Sequence, residues 1–204
     1  MSDAPNRLPT ADHETFARQR REAARKAAER RLARERDLAK RAAEWLGEDL
    51  VSGPTEFRGQ VTFEVKLGRA HALLLHLRDQ LGFDVLTDLT AVDYLKLEGE
   101  DRPERFAVVW HVCNTAQEAR LRVRAYVDED DPVAPTATDV WKAANWAERE
   151  VYDMYGIEFS GHPNLIRLLL PQEYSGFPLR KDYPLRGRGE RDNFPVIRRG
   201  GALG

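Results

Sequence analysis

The segment from Val140 to Gly156 constrains the fold most, because its apolar residues recur at helical spacing. They follow one another at steps of four and three residues and form one stripe on a helix: Val140, Ala144, Ala147, Val151 and Met154. Thr136, with Asp139 three positions later, fits a capping box, and Gly156 suits a left-handed stop. We therefore predict a helix that starts after Thr136 and ends at Gly156.

The other faces of this predicted helix carry charged and aromatic side chains. Glu148, Arg149 and Glu150 are consecutive, so they point about 100° apart and cannot converge on one small site. Aromatic residues are interleaved with them, at Trp141, Trp146, Tyr152 and Tyr155. The pattern is typical of a helix held between its own sheet and a second protein. A core helix with a solvated charged face is the alternative.

Upstream of this helix, apolar patterning predicts one further helix and four strands. The helix covers residues 69–81 and stops at Gly82, and the strands cover residues 61–67, 83–94, 106–113 and 121–127. The loop between the last two strands has hairpin length, which favours antiparallel pairing. Residues 47–59 contain Gly53 and Pro54 and are predicted to be a linker.

The order of these elements predicts an α+β domain with a largely antiparallel sheet and flanking helices. In this prediction, residues 1–46 form a basic helical extension that is rich in Ala, Arg and Glu. Residues 47–170 form the core domain, and residues 171–204 form an extended C-terminal arm.

The N-terminal extension differs from the rest of the chain in charge. Residues 14–44 hold 11 Arg or Lys and 6 Asp or Glu, which gives +5 in a chain whose net charge is −2. Neither Gly nor Pro interrupts residues 10–46, so the helix propensity is high. Three interpretations stay open for this segment: a solvated extension, docking on an acidic neighbour, and binding of nucleic acid or anionic lipid.

The C-terminal arm combines helix-breaking residues with large apolar ones. Its prolines and glycines exclude regular elements. Its apolar side chains are too many for a solvated tail, namely Tyr174, Phe177, Leu179, Tyr183, Leu185 and Phe194. We therefore expect an extended arm that lies along another subunit.

Residues with the spacing of a cofactor, metal or membrane site are sparse. The single cysteine, Cys113, cannot supply the roughly four ligands that an iron–sulfur cluster needs. No apolar run approaches the ~18 residues of a membrane span. We predict no bound cofactor and no metal site in this chain.

Three residues in or just after the predicted helix could carry chemistry. Glu150 and Asp153 could share a helix face as an acid pair or a magnesium site. Arg149 and Lys181 are available to neutralise them, and we favour ion pairs. His162 precedes a proline at a predicted turn, where a structural hydrogen bond is favoured over catalysis. We therefore predict no catalytic residue in the chain.

Several blocks of the sequence, in the same order, resemble one protein family. The later ones are Glu148-Arg-Glu-x-x-Asp-Met-Tyr-Gly-Ile, Gly161-His-Pro-x-Leu and Pro178-Leu-Arg-Lys-Asp-Tyr-Pro-Leu. The earlier ones begin at Asp84, Pro103 and Thr138. From about Val61 to Leu185 the chain resembles the C subunit of NADH-quinone oxidoreductase, respiratory complex I, which is homologous to the mitochondrial 30-kilodalton subunit.

The resemblance implies a structural and assembly subunit of the hydrophilic arm of this complex. Members of the family lie against the large subunit that helps to form the quinone pocket. The complex passes electrons from NADH through FMN and iron–sulfur centres in partner subunits to quinone, and it translocates protons. The resemblance also implies a peripheral position on the cytoplasmic side of the cell membrane, with indirect membrane association and no nucleic acid.

We expect one set of residues to lie at the subunit interface. They are Glu148, Arg149, Glu150, Tyr152, Asp153, His162, Arg180, Lys181, Asp182 and Tyr183. Three other functions stay open. One is the equivalent subunit of a related membrane-bound hydrogenase or formate hydrogenlyase. Another is a stand-alone acid–base or metal-dependent enzyme built on Glu150, Asp153 and His162. The third is a nucleic-acid-binding protein that acts through residues 14–44.

Overall fold

The computed structural model describes residues 10–95, 97 and 102–189, so Phe194 and the end of the predicted arm lie outside the described residues. A 3-10 turn at Gly47–Asp49 follows the first helix. In chain order the other elements are α1 Thr10–Leu46, β1 Leu50–Phe57, β2 Gln60–Val65, α2 Leu67–Asp79, β3 Val85–Asp93, β4 Phe106–Asn114, β5 Ala119–Val127, β6 Val133–Pro135, α3 Ala144–Tyr155 and β7 Glu158–Ser160.

The main sheet has five strands in the order β1-β2-β5-β4-β3. Three of its pairings are antiparallel, and only the pairing of β2 with β5 is parallel. Strands β6 and β7 form a separate parallel pair. The prediction of an α+β fold with a largely antiparallel sheet is therefore confirmed.

The core lies between one face of this sheet and the helices. Alternate residues of β5 point into it, and these are Leu121, Val123, Ala125 and Val127. The apolar side of α2 and the second half of α1 pack against the same face, through Leu73, Leu74, Leu77, Leu38, Ala42 and Leu46. The helix predicted over residues 10–46 is thus observed, and its C-terminal half belongs to the core. Residues 15–30 of α1 are exposed on all sides.

The predicted linker at residues 47–59 is wrong, because most of it is strand β1. This strand lies at the edge of the sheet and is mostly exposed, so it lacks the alternation of buried apolar residues that identifies a half-buried strand. Gly53 and Pro54 lie at a register shift between Ser52 and Thr55. A proline is tolerated at such an irregularity of an edge strand.

Helix α3 starts later than predicted. It begins at Ala144, and Ala143 at its N-cap makes no side-chain capping bond. Thr136 does not form the expected capping box, since its hydroxyl bonds to Glu148 on the helix instead. Gly156 ends the helix with φ +72°, as predicted. None of the described helices is both long and apolar enough to cross a bilayer.

Candidate functional site

The candidate site lies at the C-terminal end of α3, where residues 166–183 fold back over the helix. We call residues 166–183 the collar. A helix leaves its last carbonyl groups without partners inside the helix. Here three of these carbonyls accept hydrogen bonds from the collar: Asp153 from Arg167 Nη1 at 3.2 Å, Met154 from the Leu179 N–H at 3.1 Å and Tyr155 from Arg180 Nε at 2.6 Å.

Asp153 organises the first part of the collar. Its carboxylate is 0% exposed and lies 2.6 Å from Nη1 of Arg167. Its second oxygen accepts three consecutive backbone N–H groups, from Leu168 at 3.1 Å, Leu169 at 2.7 Å and Leu170 at 2.9 Å. Burial alone raises the pKa of Asp153, but these N–H groups and the guanidinium outweigh it and hold the pKa below its ordinary value.

This arrangement corrects the predicted ion pairs. Neither Arg149 nor Lys181 neutralises Asp153; Arg167 does. Arg149 instead donates to the carbonyls of Ile166 and Arg167 at 3.0 and 3.1 Å, and its guanidinium lies over the Trp146 ring. The side chain of Arg149 therefore ties the start of the collar to α3.

Arg180 and Gly156 hold the middle of the collar at the helix end. The guanidinium of Arg180 lies over the rings of Phe177 and Phe106, 4.7 and 5.1 Å from their centroids. A Cβ at Gly156 would lie 2.6 Å from the Phe177 ring and 2.8 Å from Arg180 Nη2. Position 156 therefore requires glycine for its positive φ and for the close approach of the collar.

A second charge network anchors the end of the collar to the sheet. The Asp93 carboxylate, at the end of β3, accepts from Arg105 Nε and Nη2 at 3.0 and 2.8 Å and from the Lys181 backbone N–H at 2.8 Å. Arg105 also pairs with Asp182 at 2.8 Å and with Glu129. Burial raises the pKa of Asp93, but Arg105 and the backbone N–H groups outweigh it and hold the pKa below its ordinary value.

Glu148 lies inside the chain, on the side of α3 that faces residues 136–138. It is 0% exposed, and its two oxygens accept from the Thr136 hydroxyl and the Ala137 N–H, each at 2.6 Å. Burial raises the pKa of Glu148 to about 7, although both hydrogen bonds oppose this shift. Asp139 adds a smaller upward contribution to the pKa.

His162 makes the structural hydrogen bonds that its position suggested. Nε2 donates to the Asn145 carbonyl at 3.1 Å, and Nδ1 accepts from the Asn164 N–H at 3.0 Å. Both ring nitrogens are therefore engaged, and the Nε2–H tautomer is selected. Tyr183 is half-buried, and its hydroxyl bonds to that of Tyr174.

The structure thus brings most of the predicted interface residues into one neighbourhood but divides them into two groups. The side chains of Glu148 and Asp153 are enclosed by this chain. They hold backbone segments of the chain in position by hydrogen bonds and do not contact a partner. Accessible side chains remain at Arg149, Glu150, Tyr152, His162, Arg180, Lys181, Asp182 and Tyr183. Their place at an interface stays a prediction.

Exposed apolar side chains lie along α3 and the collar. Trp146 and Leu169 are each 61% exposed, and Ile166 and Leu179 are also exposed. Hydrogen bonds to Asp153 and Met154 place Leu169 and Leu179 at the C-terminal end of α3. Trp146 lies in the first turn of α3, where Arg149 connects it with Ile166. Large apolar groups clustered in this way mark a surface for protein association. In the described residues no three His, Cys, Asp or Glu side chains converge as metal ligands would.

A known protein family matches the part of the chain that contains the candidate site. The family of the 30 Kd subunit of respiratory-chain NADH dehydrogenase matches residues 63–189, from β2 to six residues past the collar. The chain belongs to this family. The matched part of the 30 Kd subunit family includes Asp93, Arg105, Asp153 and Arg167, and it leaves α1 and β1 outside.

Curated relatives of the 30 Kd subunit family are similar over most of their length. The C subunit of NADH-quinone oxidoreductase from Citrifermentans bemidjiense is 49% identical over 133 residues, which cover 65% of this chain and 80% of the relative. The C subunit from Laribacter hongkongensis is 43% identical over 156 residues, which cover 75% of this chain and 79% of the relative.

Two solved structures share the fold. The trypsin-resistant fragment of Nqo5 is 36% identical with a TM-score of 0.56, covering 63% of this chain and 99% of the fragment. A chain of the membrane-bound sulfane sulfur reductase, an archaeal respiratory membrane complex, has a TM-score of 0.61 over 81% of this chain and 94% of its own. Its identity is 23%, so it supports the fold alone.

Proposed function

We propose that this chain is the C subunit of a proton-translocating NADH-quinone oxidoreductase and holds the quinone-end module together without a redox cofactor of its own. FMN and the iron–sulfur centres belong to partner subunits, and NADH and quinone bind elsewhere in the complex. The chain takes part in the enzyme as an assembly subunit. Its membrane association is indirect, on the cytoplasmic side of the cell membrane.

The docking surface of this proposal is the outer side of the collar, against the large subunit of the quinone site. One observation carries it: the collar uses its polar groups on its own chain and turns Ile166, Leu169 and Leu179 outward, beside the exposed Trp146 of α3. On a surface of this kind the backbone groups already have hydrogen-bond partners within the chain, and the apolar side chains are exposed as anchors. Such anchors, surrounded by charged rim residues, are the usual centre of a protein–protein interface.

The equivalent subunit of a related membrane-bound hydrogenase remains the second candidate, because the Leu179-Arg-Lys-Asp-Tyr block does not distinguish it from a complex I subunit. The stand-alone enzyme is not favoured by the geometry. Asp153 is bound to Arg167 and three backbone N–H groups, and both ring nitrogens of His162 are engaged. Neither group is therefore placed to transfer a proton or bind a metal.

The test is to solubilise membranes gently, recover the chain by a tag, and measure flavin, iron and NADH oxidation in the recovered material. We expect all three to be recovered together with the chain. Iron recovered with hydrogenase activity in place of NADH oxidation would favour the second candidate. A chain recovered alone would contradict the proposal.

A matched pair of variants tests the docking surface itself. Leu169→Asp puts a charge on the exposed apolar surface of the collar and should remove the redox partners. Phe57→Asp makes the same kind of change at an exposed apolar residue of β1, which is 70% exposed, and should leave them in place. Equal recovery of flavin with both variants would contradict docking through the collar.

A further inference from the structure

The face of the main sheet that points away from the core is rich in charged and aromatic residues. On β5 it carries Arg122, Arg124 and Tyr126, which are half-buried. Arg122 lies opposite His111 of β4, and Arg124 lies opposite Glu64 of β2. We call this set, with Gln60, Tyr94 and Asp88, the outer face. It shares no residue with the collar.

The charges of the outer face do not balance at Arg122. Glu64 forms an ion pair with Arg124, and the Tyr126 hydroxyl lies 3.4 Å from the same carboxylate. Arg124 also donates to the Tyr94 hydroxyl at 3.0 Å. The one carboxylate next to the two arginines is therefore already used by Arg124.

Arg122 has a neutral partner where Arg124 has a charged one. Its Nη2 donates to the amide oxygen of Gln60, and its Nε is buried without a hydrogen-bond acceptor among the described residues. Asp88 lies two strands away across His111, which is about 10 Å between backbones at the usual strand spacing, and its carboxylate forms no ion pair with Arg122.

A half-buried guanidinium with a neutral partner costs free energy in the isolated chain. A guanidinium cannot lose its proton in a protein to escape desolvation. Burial, and then the neighbouring Arg124, lower the pKa of Arg122. Burial, and then the Arg122 charge, lower the pKa of His111, which Asp88 opposes. An anion brought to the accessible part of the half-buried Arg122 guanidinium would be stabilised by its uncompensated charge.

We infer that the outer face around Arg122 is a second interaction surface, which binds an acidic segment of a partner protein through a carboxylate placed against the Arg122 guanidinium. Tyr94 and Tyr126 lie beside the two arginines, and tyrosine and arginine are the residues that protein interfaces favour. Glu64 is already paired with Arg124, so the Arg122 guanidinium is left for a single carboxylate. Nucleic acid binding depends on several phosphate contacts.

The inference goes beyond the proposed function, because it assigns a surface that the collar does not use. The direct test places an amine at the proposed contact, with Arg122→Lys in the full chain within the assembled complex. A carbodiimide then joins this amine to a carboxylate in contact with it, forming an amide while the carbodiimide takes up the water. Mass spectrometry identifies the joined peptides.

Arg36→Lys is the matched control, because Arg36 pairs with Glu56 of its own chain and should give an amide within the chain. For Arg122→Lys we expect an amide to Asp or Glu of another polypeptide. An amide to Glu64 of the same chain, or no amide while the control reacts, would overturn the inference.

A second variant, Arg122→Gln, separates binding from folding. We expect the thermal midpoint of the isolated chain to stay equal or rise, because a disfavoured charge is removed, while retention of the partner falls about tenfold or more. A lower midpoint with unchanged retention would overturn the inference. So would a midpoint that inorganic phosphate raises in the wild type but not in Arg122→Gln, since this would indicate a small-anion site.

These results can be told apart from a failure of the proposed function. Flavin and NADH oxidation that are recovered with a chain lacking any amide at position 122 would remove this inference and leave the proposed function intact. An amide to another polypeptide, in a chain recovered without flavin, would do the reverse.

Discussion

Arg180 donates from Nε to the carbonyl oxygen of Tyr155 at 2.6 Å, at the point where α3 ends. The guanidinium thus places a positive charge at the negative end of the helix dipole. The sequence alone favours a contact of this arginine with a partner subunit, whereas the structure supplies a carbonyl within the chain. The block from Pro178 to Leu185 therefore caps a helix as well as offering a surface.

Replacing Arg180 should loosen the collar. Arg180→Ala frees the Tyr155 carbonyl and empties the space between Phe106 and Phe177, at a cost of about 1.5–3 kcal/mol for a hydrogen bond to a charged group. We expect faster hydrogen exchange over residues 176–185 and less assembled complex. Arg186→Ala, at an exposed position of the same arm, is the control. Unchanged exchange and wild-type levels of complex in Arg180→Ala would count against this role.

A methyl group at Gly156 should destabilise the fold by more than the positive φ of this residue explains. Gly156→Ala places Cβ 2.6 Å from Phe177, whereas Gly59 has the same φ of +72° and nothing within 4 Å of its Cβ position. Gly59→Ala should therefore lower the free energy of unfolding only by the cost of an alanine in the left-handed conformation, about 1–2 kcal/mol. Denaturant unfolding of both variants measures the difference, which reports the contact with the collar. Equal losses would show that the collar does not pack there.

Glu148 should make the stability fall as the pH rises from about 4.5 to about 7. Its pKa is raised from 4.5 to about 7 by burial, so the folded chain binds more protons than the unfolded chain in this range. The expected loss is about 3 kcal/mol, from 1.36 kcal/mol for each pKa unit.

Glu148→Gln copies the neutral acid, since its amide can donate to Thr136 and accept from Ala137. We expect this variant to be more stable than the wild type above pH 7 and to show a flatter dependence on pH. The exposed neighbour serves as control in Glu150→Gln. Denaturation midpoints at pH 5 and pH 8 check the expectation, which parallel curves for wild type and Glu148→Gln would refute.

Asp153 should be the most sensitive carboxylate of the site. Asp153→Asn keeps one oxygen and turns its amide hydrogens toward either Arg167 or the three backbone N–H groups. Breaking a buried pair in this way costs about 3–5 kcal/mol. Asp79→Asn breaks an exposed pair with Arg78, for which we expect a far smaller loss, because surface ion pairs contribute little. Similar unfolding free energies for the two variants would disprove the anchoring role of Asp153.

The sequence pattern was sufficient for elements whose neighbours are local in the chain. The alternation from Leu121 to Val127 and the spacing from Ala70 to Leu77 predicted β5 and α2, because burial on one face leaves a periodic pattern. The same rule missed β1, which buries almost nothing. The parallel pairing of β2 with β5 also escaped prediction, since a period of two residues marks a face and does not identify the neighbouring strand.

The candidate site was harder to predict, because its contacts join distant segments. The acid pair at Glu150 and Asp153 was visible in the sequence, but spacing could not show that Arg167 would reach Asp153 before Arg149 or Lys181. Asp93 and Arg105 were missed as site residues, although each is a charged residue beside a buried apolar strand. A charge in that position needs a partner, and this was the available signal.

The parallel pairing of β2 with β5 has a consequence for when the sheet forms during synthesis. The hairpin of β1 and β2 leaves the ribosome well before residues 119–127, and a lone hairpin is only marginally stable. The apolar side chains of Val61, Phe63 and Val65 on β2 therefore remain incompletely packed until β5 pairs with this strand. Before that, α1 is the helix that packs against β2. We expect the nascent chain to depend on chaperones over this interval, and its sheet to close only when β5 has emerged.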